Sequence, residues 1–508
     1  MNSKLRYLIL TVMVCLPSLH GFAQRSANWC FGDSAGIDFT VATSPVIFTN
    51  SVVSRGTAVS ISDYNGELQF YSFTVSGSGQ VYSGKLFNKN DVEMLNGDSL
   101  AGTGWYHEMV ILPDPADDSL FYLFSIGVSF PYGLKYSKID LRGDNGLGEV
   151  VQKNVSLLDS IYMVDGLTAV KHGNGRDWWL VARKWDYFAG LPWENNEWYI
   201  YLISTNGISA LPIQNVGSMN STNNGSLYFD PTGNKMVFIN GISLIELYDF
   251  NRCTGEVTNP VTVEQQDLFG VYSNYWTCQF SPSGRFLYIG SNSDTSKLYQ
   301  FDTWAPAIDS TKTLLWQTSF PKFTMGDLKL APDNKIYLSM CYVDTFGTYF
   351  PYLPTMYNSY NMNLSVINSP DSAGLACDFQ PWSFYLGGKR TYWGLPNNPD
   401  YDLPVLAGSP CDTLVGIGDV PVQEQQPNLY VYYSLQWQTA FINANQLKGT
   451  SVKLQMFDLM GKLVFEETTK FNPPYYTKNL NLTSLAKGMY VVTLEAGGQR
   501  LVKKFVVE

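Results

Sequence analysis

Histidine is the scarcest of the residues in this 508-residue chain that could do chemistry. Only three histidines occur, and His20 lies in an N-terminal segment with the features of an export signal. The remaining two, His107 and His172, are too few for a zinc site built on several histidines and offer little imidazole for acid–base catalysis. The sequence motifs of a nucleophile elbow, a zinc-protease helix, a phosphate-binding loop and a dinucleotide-binding turn are all missing. The sequence therefore predicts no catalytic residues, no metal ion and no cofactor.

Aromatic side chains next to charged ones are the remaining candidates for a binding site. Trp105 and His107 stand just before a predicted strand, and Asp165, Arg183 and Trp185 fall near the ends of other predicted strands. Aromatic rings beside a carboxylate and a guanidinium can stack against and hydrogen-bond a sugar or a peptide. These five residues form the predicted ligand-binding set. Each has an alternative interpretation as a hydrogen-bonded loop residue or a part of the core.

Cysteine spacing argues for structural bridges rather than for redox or metal chemistry. Six cysteines follow the export signal, and none of them forms a CxxC pair. An even number of cysteines in an exported protein favours disulfides. Cys253 and Cys278 lie at the end of one predicted strand group and the start of the next, so we predict a bridge between them. The other pairings stay open, and free buried thiols are the alternative.

The N-terminus predicts a secretory signal peptide. Two basic residues precede an apolar run over residues 7–16, which is too short to span a bilayer, and the small residues Gly21 and Ala23 follow at the spacing of a cleavage site. We therefore expect residues 1–23 to be removed. No later run of about 18 apolar residues exists, so no integral membrane segment is expected.

Composition favours an all-β, turn-rich protein. Hydrophobic residues make up 45%, aromatic residues 15% and charged residues only 15%, with 43 glycines and 25 prolines. Helical bundles and coiled coils are rich in Ala, Glu, Lys and Leu instead, and disordered chains lack so many large apolar side chains. The net charge of −11 provides no basic surface for nucleic acid.

One local pattern recurs through the middle of the chain: an apolar strand, a short turn with Pro, Asp, Asn or Gly, and an aromatic strand. Its copies align at intervals of 49 to 58 residues, on Phe70, Tyr122, Trp179, Val237, Leu287 and Ile336. Such a period, with several short strands per unit, is typical of a β-propeller. A degenerate seventh copy over residues 377–386 predicts a WD-repeat-like propeller of about seven blades over residues 24–412, with six or eight as alternatives. We expect residues 28–39 to pair with the last blade and close the ring.

The C-terminal part differs from the preceding region in composition and residue pattern. Prolines interrupt regular structure between residues 395 and 427, and we place a linker at residues 413–427. Residues 428–508 then alternate apolar and polar residues in short strands, which predicts a small Ig-like β-sandwich. Residues 426–508 carry nine basic and five acidic residues, so this part is basic, whereas the region before it is strongly acidic.

The tail resembles the type A C-terminal sorting domain of the Bacteroidetes type IX secretion system. The resemblance is carried by FDLMGK at residues 457–462, LTSLAKGMY at residues 482–490 and QRLVKKFV at residues 499–506. It implies that the secretion machinery is a partner and that the protein is secreted or displayed on the cell surface. The residues that it assigns to the sorting motif are Gly461, Lys462, Gly488, Tyr490, Lys503 and Lys504.

The body resembles a group of secreted Bacteroidetes propeller proteins. The matching stretches are residues 28–32, 36–39, 252–255 and 394–397. That group has no assigned chemistry, so the resemblance bears on location and not on activity. We expect a non-catalytic binding module for a glycan or protein ligand. The alternative is a hydrolase or lyase that acts on polysaccharide or peptide, and it predicts acidic residues converging in an open central channel.

Overall fold

Antiparallel β-strands make up nearly all of the regular structure in this computed structural model. The residues that it describes are 24–75, 81–186, 195–266, 273–344, 347–348, 350–412, 427–434, 438–445, 447–471, 473 and 476–507. The predicted signal peptide, residues 1–23, and all but the last residue of the predicted linker, residues 413–427, lie outside these ranges. Contacts divide the chain into two compact units, Met1–Leu414 and Val415–Glu508.

The first unit is a seven-bladed β-propeller: seven antiparallel sheets follow one another along its described residues. Sheet 1 consists of β1 (Asn28–Phe31), β2 (Asp33–Asp38) and β3 (Val46–Val53). Sheet 2 consists of β4 (Ala58–Ser62), β5 (Leu68–Thr74) and β6 (Gly84–Asn88). Sheet 3 consists of β7 (Met109–Asp114), β8 (Asp117–Ile126), β9 (Leu134–Asp140) and β10 (Glu149–Leu158), with the short helix α1 (Gly143–Gly146) before β10.

The remaining sheets follow the same plan. Sheet 4 consists of β11 (Tyr162–Met163), β12 (Thr168–Lys171), β13 (Trp178–Trp185), β14 (Asn195–Ser204), β15 (Gly207–Ala210) and β16 (Gln214–Asn220). Sheet 5 consists of β17 (Gly225–Phe229), β18 (Lys235–Asn240), β19 (Ile245–Asn251) and β20 (Glu256–Glu264). Sheet 6 consists of β21 (Tyr275–Phe280), β22 (Phe286–Ser291), β23 (Ser296–Asp302) and β24 (Thr313–Thr318). Sheet 7 consists of β25 (Met325–Leu330), β26 (Ile336–Met340), β29 (Asn363–Ile367) and β30 (Phe379–Tyr385), with the hairpin β27 (Val343–Asp344) and β28 (Gly347–Thr348) between them. Two short 3₁₀ turns cover Asp309–Thr311 and Gly374–Cys377.

The innermost strands of the sheets form the inside of the ring. Strand β1 lies beside β4, β4 beside β7, β12 beside β17, β17 beside β21 and β21 beside β25. Nearly every residue of these innermost strands is buried, whereas exposed residues recur along β10, β20, β24 and β30. Strands covered on both faces read as continuous apolar runs, and outer strands alternate with polar residues. This gradient explains why the two inner strands of each sheet carried the repeat, whereas the outer strands did not.

Two details of the predicted ring were wrong. Residues 28–39 form β1 and β2 of a separate sheet with β3, and the ring closes by packing: the Trp29 and Phe39 rings lie 5.8 and 5.5 Å from the Tyr337 ring of sheet 7. The supposed seventh repeat contributes β30, the outermost strand of the sheet that begins at β25. Its alternating exposure suits an outer strand, and the expected count of seven holds because sheet 1 takes the missing place.

The predicted bridge between Cys253 and Cys278 was also wrong. Cys253 is bonded to Cys411, and Cys278 is a free buried thiol. Cys278 lies in the innermost strand β21, where it packs among apolar residues, whereas Cys253 lies in the turn between β19 and β20. The two cysteines are close along the chain but lie at different depths in their sheets. Chain spacing carries no information about that depth. Cys30, Cys341 and Cys377 are free and buried as well.

The second unit is the predicted β-sandwich. One sheet contains β31 (Asn428–Ser434), β32 (Thr439–Asn445) and β35 (Tyr476–Asn481). The other contains β33 (Ser451–Asp458), β34 (Leu463–Lys470), β36 (Gly488–Ala496) and β37 (Gln499–Val507), in the order β34-β33-β36-β37. Alternate residues of both sheets meet in one core that includes Ile442, Leu454, Val492 and Leu494. This arrangement follows from period-two alternation with one face of each sheet buried.

The predicted sorting residues lie in turns and on one edge of this sandwich. Gly461 has a φ of +80° in the turn between β33 and β34, where the Asp458 carboxylate accepts the backbone N–H of Lys462 at 2.9 Å. The Tyr490 hydroxyl donates to the Ala486 carbonyl at 2.7 Å, just before Gly488 opens β36. Lys503 and Lys504 are exposed on β37, the edge strand of its sheet. Lysines at such an edge discourage pairing with other chains.

Candidate functional site

A segment of the chain itself, Arg390–Leu403, fills the centre of the propeller, and we call it the axial segment. Apart from Asp400 and Asp402 its residues are buried. The side-chain amide of Asn397 donates to the carbonyls of Met109, at 3.0 Å, and Leu167, at 2.9 Å. These carbonyls belong to the start of sheet 3 and the approach to sheet 4, so one side chain joins two blades at the axis.

Backbone contacts fix the direction of the axial segment. Pro396 pairs in parallel with Ala58 of β4, and the Trp393 carbonyl accepts the backbone N–H of Asp327 in β25 at 2.6 Å. Further along, the Tyr401 hydroxyl donates to the Ile111 carbonyl of β7 at 2.9 Å. The segment therefore runs alongside the innermost strands and in their direction. It contacts blades on different sides of the ring.

Glycine is required where the axial segment enters. A Cβ atom at Gly394 would overlap the carbonyl oxygen of Gly56, and one at Gly326 would lie 2.5 Å from the carbonyl oxygen of Trp393. Three backbones therefore approach one another at this level with no room for side chains. Such close approach is a main use of glycine in folded proteins.

A buried polar cluster lies beside the axial segment, and we call it the axial cluster: His107, Asp165, Tyr228, Thr277 and Asp327. One Asp327 carboxylate oxygen accepts hydrogen bonds from the Tyr228 and Thr277 hydroxyls, both at 2.8 Å, and lies 3.3 Å from His107 Nε2. The Asp165 carboxylate accepts the backbone N–H of His107 at 2.8 Å and that of Tyr106 at 3.1 Å. Residues from five consecutive sheets, sheets 3 to 7, thus meet through hydrogen bonds at the axis.

Burial governs the acidity of the axial cluster. It raises the pKa of Asp165 to about 6, because the charged form loses its hydration. Burial alone would lower the pKa of His107, but the charge and hydrogen bond of Asp327 outweigh it, so that pKa is raised. Burial lowers the pKa of the neighbouring Lys329 to about 8. His107 Nδ1 and Asp327 Oδ2 have no hydrogen-bond partner within the described structure.

The axial cluster has residue types suited to proton transfer but lacks access to solvent. His107, Asp165 and Asp327 are each only 2 to 3% exposed. General acids and bases must reach within hydrogen-bonding distance of a substrate. In the described arrangement the axial segment stands where a substrate would enter, so these groups hold the blades together.

The structure unites only part of the predicted ligand-binding set. His107 and Asp165 meet as described, and Trp105 lies partly buried beside them in the chain. The Arg183 guanidinium is buried elsewhere, 4.7 Å from the Trp198 ring centre and 4.4 Å from that of Phe238. Trp185 is partly buried, and its indole donates to the Ser221 carbonyl at 3.3 Å. Sequence reasoning missed Tyr228 and Asp327, although a carboxylate within the apolar strand β25 was a visible sign of a buried polar contact.

An open cavity of about 360 Å³ lies at the end of the propeller where the innermost strands finish. We call it the hairpin-end pocket. Its walls come from the turn between β4 and β5, the turn between β12 and β13, and the chain that leaves the axis. The residues that contribute most to its surface chemistry are Tyr64, Lys171, Tyr401, Asp402, Leu403 and Val405. The bond between Cys253 and Cys411 anchors the wall that follows the axial segment.

The other end of the axis carries an aromatic cluster. The rings of Tyr106 and Trp276 lie 4.7 Å apart, and those of Tyr106 and Trp393 lie 6.4 Å apart. Phe320 and Phe323, 47% and 40% exposed, belong to the approach to sheet 7. Among the residues described, no group of three or more His, Cys, Asp or Glu side chains is arranged to hold a metal ion. No helix within the described ranges is long and apolar enough to cross a membrane.

Comparison with known proteins identifies the tail. Residues 438–508 match the family described as the secretion system C-terminal sorting domain. The tail is therefore a C-terminal sorting domain, as its resemblance to the type IX family predicted. No curated protein matches the chain.

Solved structures similar to the chain include a β-propeller domain and a periplasmic gluconolactonase. The periplasmic gluconolactonase PpgL of Pseudomonas aeruginosa is 14% identical, with a TM-score of 0.42, over 73% of this chain and 98% of that one. The β-propeller domain of Cps50 (Swd1) from Myceliophteria thermophila is 12% identical, with a TM-score of 0.37, over 62% and 93%. Apo AztD from Citrobacter koseri is 11% identical, with a TM-score of 0.35, over 73% and 87%.

Proposed function

We propose that this protein is an exported, non-catalytic binding module, with a propeller that binds a glycan or protein ligand at its surface. The sorting domain marks the protein for secretion or the cell surface. A signal peptide cleaved after Ala23 would bring the chain to the periplasm first. The type IX machinery would then recognise the tail and remove it from the working propeller.

The filled axis is the observation that carries the proposal. In an enzyme of this architecture, substrate would have to reach groups that can transfer protons or attack a bond. Here the axial segment hydrogen-bonds to several blades, and the Asp165 and Asp327 carboxylates accept internal N–H and O–H groups. What remains available to a partner is the two ends of the ring, with the hairpin-end pocket at one end and the aromatic cluster at the other.

Capture by the full-length protein tests the proposal. Full-length protein on beads is incubated with glycans and proteins extracted from surfaces on which a type IX-secreting bacterium grows. Beads that carry an unrelated protein of similar negative charge serve as the control for non-specific attraction. We expect selective retention of one class of ligand without its breakdown. Retention no greater than on the control beads would contradict the proposal.

A hydrolase remains the second candidate because the axis does bring carboxylates and an imidazole together. The raised pKa of Asp165 is a property of many general acids. This function requires the axial segment to leave the ring. Turnover of polysaccharide or peptide substrates by the full-length protein, lost in the Asp327→Asn variant and retained in Asp402→Asn, would favour the hydrolase over the binding module.

A further inference from the structure

We propose that the hairpin-end pocket binds a single neutral sugar unit, such as the end of a glycan. This inference rests on the proposed binding function and names its ligand. The cavity volume of about 360 Å³ is at the lower end of the range for small-molecule sites, so the pocket suits a small ligand better than a folded partner.

Tyr64 provides a flat surface for a sugar ring. It is 55% exposed in the turn between β4 and β5, and the Arg25 guanidinium lies 4.0 Å from its ring centre. The guanidinium covers part of the ring from the protein side, and the rest of the ring lines the cavity. Leu403 and Val405 add apolar surface to the lining of the same cavity. A sugar ring presents C–H groups on its faces, which pack against aromatic and aliphatic side chains.

Polar groups with unused hydrogen-bonding capacity surround this apolar surface. Within the described structure the Asp402 carboxylate accepts no hydrogen bond, and the Tyr64 hydroxyl makes none. Lys171 Nζ donates to the Tyr401 carbonyl at 2.7 Å and retains two further N–H groups. Adjacent sugar hydroxyls match this set, because each can donate to a carboxylate and accept from an ammonium group.

Charge favours a neutral ligand. Asp402 and Asp412 both line the cavity, while Lys171 is the one cation in its described lining. An anionic ligand such as a phosphate or a uronic acid would meet two carboxylates. A peptide would need backbone partners in an extended row, and the described walls consist of turns rather than an open strand edge. Neutral hexoses and N-acetylated sugars fit these conditions.

The pocket is pre-organised. The Asn174 side chain accepts the backbone N–H groups of Arg176 and Asp177, both at 3.0 Å, which holds the β12–β13 turn. The Cys253–Cys411 bond holds the chain beyond Val405 against the turn between β19 and β20. Walls that are already ordered lose little conformational entropy when a ligand binds.

Saturation-transfer NMR on the full-length protein tests the proposal. The probes are the methyl glycosides of glucose, galactose, mannose and N-acetylglucosamine, each at up to about 20 mM, which detects millimolar affinities. We expect at least one glycoside to bind and Tyr64→Ala to weaken it about tenfold, as expected for the loss of an aromatic contact. Tyr64→Phe retains the ring and should retain binding.

Tyr385→Ala is the matched control, since Tyr385 is 57% exposed on the outer strand β30 and lies outside the pocket. Equal melting temperatures of the variants show that folding is unaffected. No binding by any glycoside, or binding that Tyr64→Ala leaves unchanged, overturns the sugar pocket. Peptide binding that depends on Tyr64 also overturns it but leaves the proposed binding module standing. Hydrolysis of the glycosides would instead reject the module itself.

Discussion

The axial cluster and the hairpin-end pocket lie along the same axis but differ in access. In the cluster the Asp327 carboxylate contacts the His107 imidazole, the Asp165 carboxylate accepts backbone N–H groups, and all three side chains are almost completely buried. The pocket is lined by two carboxylates and a lysine, and Tyr64 and Asp402 are open to solvent. Residue types alone would place a site in the cluster. Burial makes the groups of the cluster inaccessible to a ligand, whereas groups of the pocket remain accessible.

Adding a methyl group at Gly394, where the axial segment passes Gly56, should have the largest effect on stability. A Cβ atom in Gly394→Ala overlaps the backbone of Gly56. We expect the free energy of unfolding to fall by about 3 kcal/mol or more, because backbone atoms cannot move aside as flexible side chains do. Urea unfolding measures the change. Gly166→Ala is the control, since its nearest neighbour is Leu227 at an ordinary 3.5 Å, and equal losses in both variants would show that the axis is loosely packed.

Removing the bond between Cys253 and Cys411 should affect the pocket end more than the cluster end. The bond spans 158 residues, and loss of a native disulfide commonly lowers the free energy of unfolding by about 2–4 kcal/mol. In the Cys253→Ser/Cys411→Ser variant we expect faster amide exchange in residues 404–412 than in the wild type. Exchange around β7 and β25 should stay slow under native conditions. Uniform acceleration across the propeller would remove the distinction between the two ends.

One pair of matched substitutions compares the two regions directly. Asp327→Asn replaces a buried carboxylate that accepts hydrogen bonds from two hydroxyl groups, and we expect it to lower the free energy of unfolding by about 2–3 kcal/mol. Asp402→Asn alters an exposed carboxylate and should change stability by less than about 0.5 kcal/mol. Glycoside binding should respond the other way, weakening in Asp402→Asn only. Similar stability losses in both variants would contradict the distinction between a buried structural cluster and an accessible pocket.

Acidity affects both regions, because burial and the charge of Asp400 also raise the pKa of Asp402 in the pocket, to about 7, so a variant of Asp165 is needed to isolate the smaller contribution of the cluster. Because the pKa of Asp165 is raised to about 6 in the folded protein, its stabilising contribution is complete below its ordinary pKa and is lost as pH rises through about 6. The raised pKa of His107 acts in the same sense. Asp165→Asn mimics the protonated acid. Between pH 5 and pH 8, the wild type should therefore lose about 1.4 kcal/mol relative to this variant, measured by urea unfolding at each pH. Parallel pH profiles would show that Asp165 titrates normally.

The repeat allowed the fold to be predicted from the sequence. Nothing in the sequence indicated that a segment of the chain fills the axis of the ring. The two inner strands of a blade and the turn between them recur every 50 or so residues, so chain spacing predicted a propeller, but the expected count of seven holds only because sheet 1 replaces the supposed seventh copy. The axial segment has no such pattern. Pro396 and Pro399 lack an N–H group and looked like breaks in structure. On the axis they suit a segment that makes its hydrogen bonds at scattered positions, through backbone groups of Trp393 and Asn397 and the side-chain amides of Asn397 and Asn398.

Of the residues in the axial cluster, only those near the ends of predicted strands could be identified from the sequence. His107 and Asp165 were visible as polar residues before predicted strands, and the structure brings them together. Their partner Asp327 lies within β25, 220 residues beyond His107 in the chain, and only the closed ring joins them. Tyr64 belongs to an Asn-Gly turn. A single sequence does not distinguish an exposed turn residue from one that binds a ligand. Its proposed role in binding also depends on Lys171, which another blade provides, and on Asp402, which the axial segment provides.

Hydrogen exchange of the axial segment tests the central claim most directly, since that claim is that the chain fills its own axis. Peptide-resolved exchange on the full-length protein at neutral pH compares residues 390–403 with the exposed turn at residues 63–66. We predict that the amides of Asp327 and Asn397, which donate to Trp393 and Ala58, exchange as slowly as those of the innermost strands. Exchange of residues 390–403 as fast as that of the exposed turn would show that the axis is open, and would contradict the account.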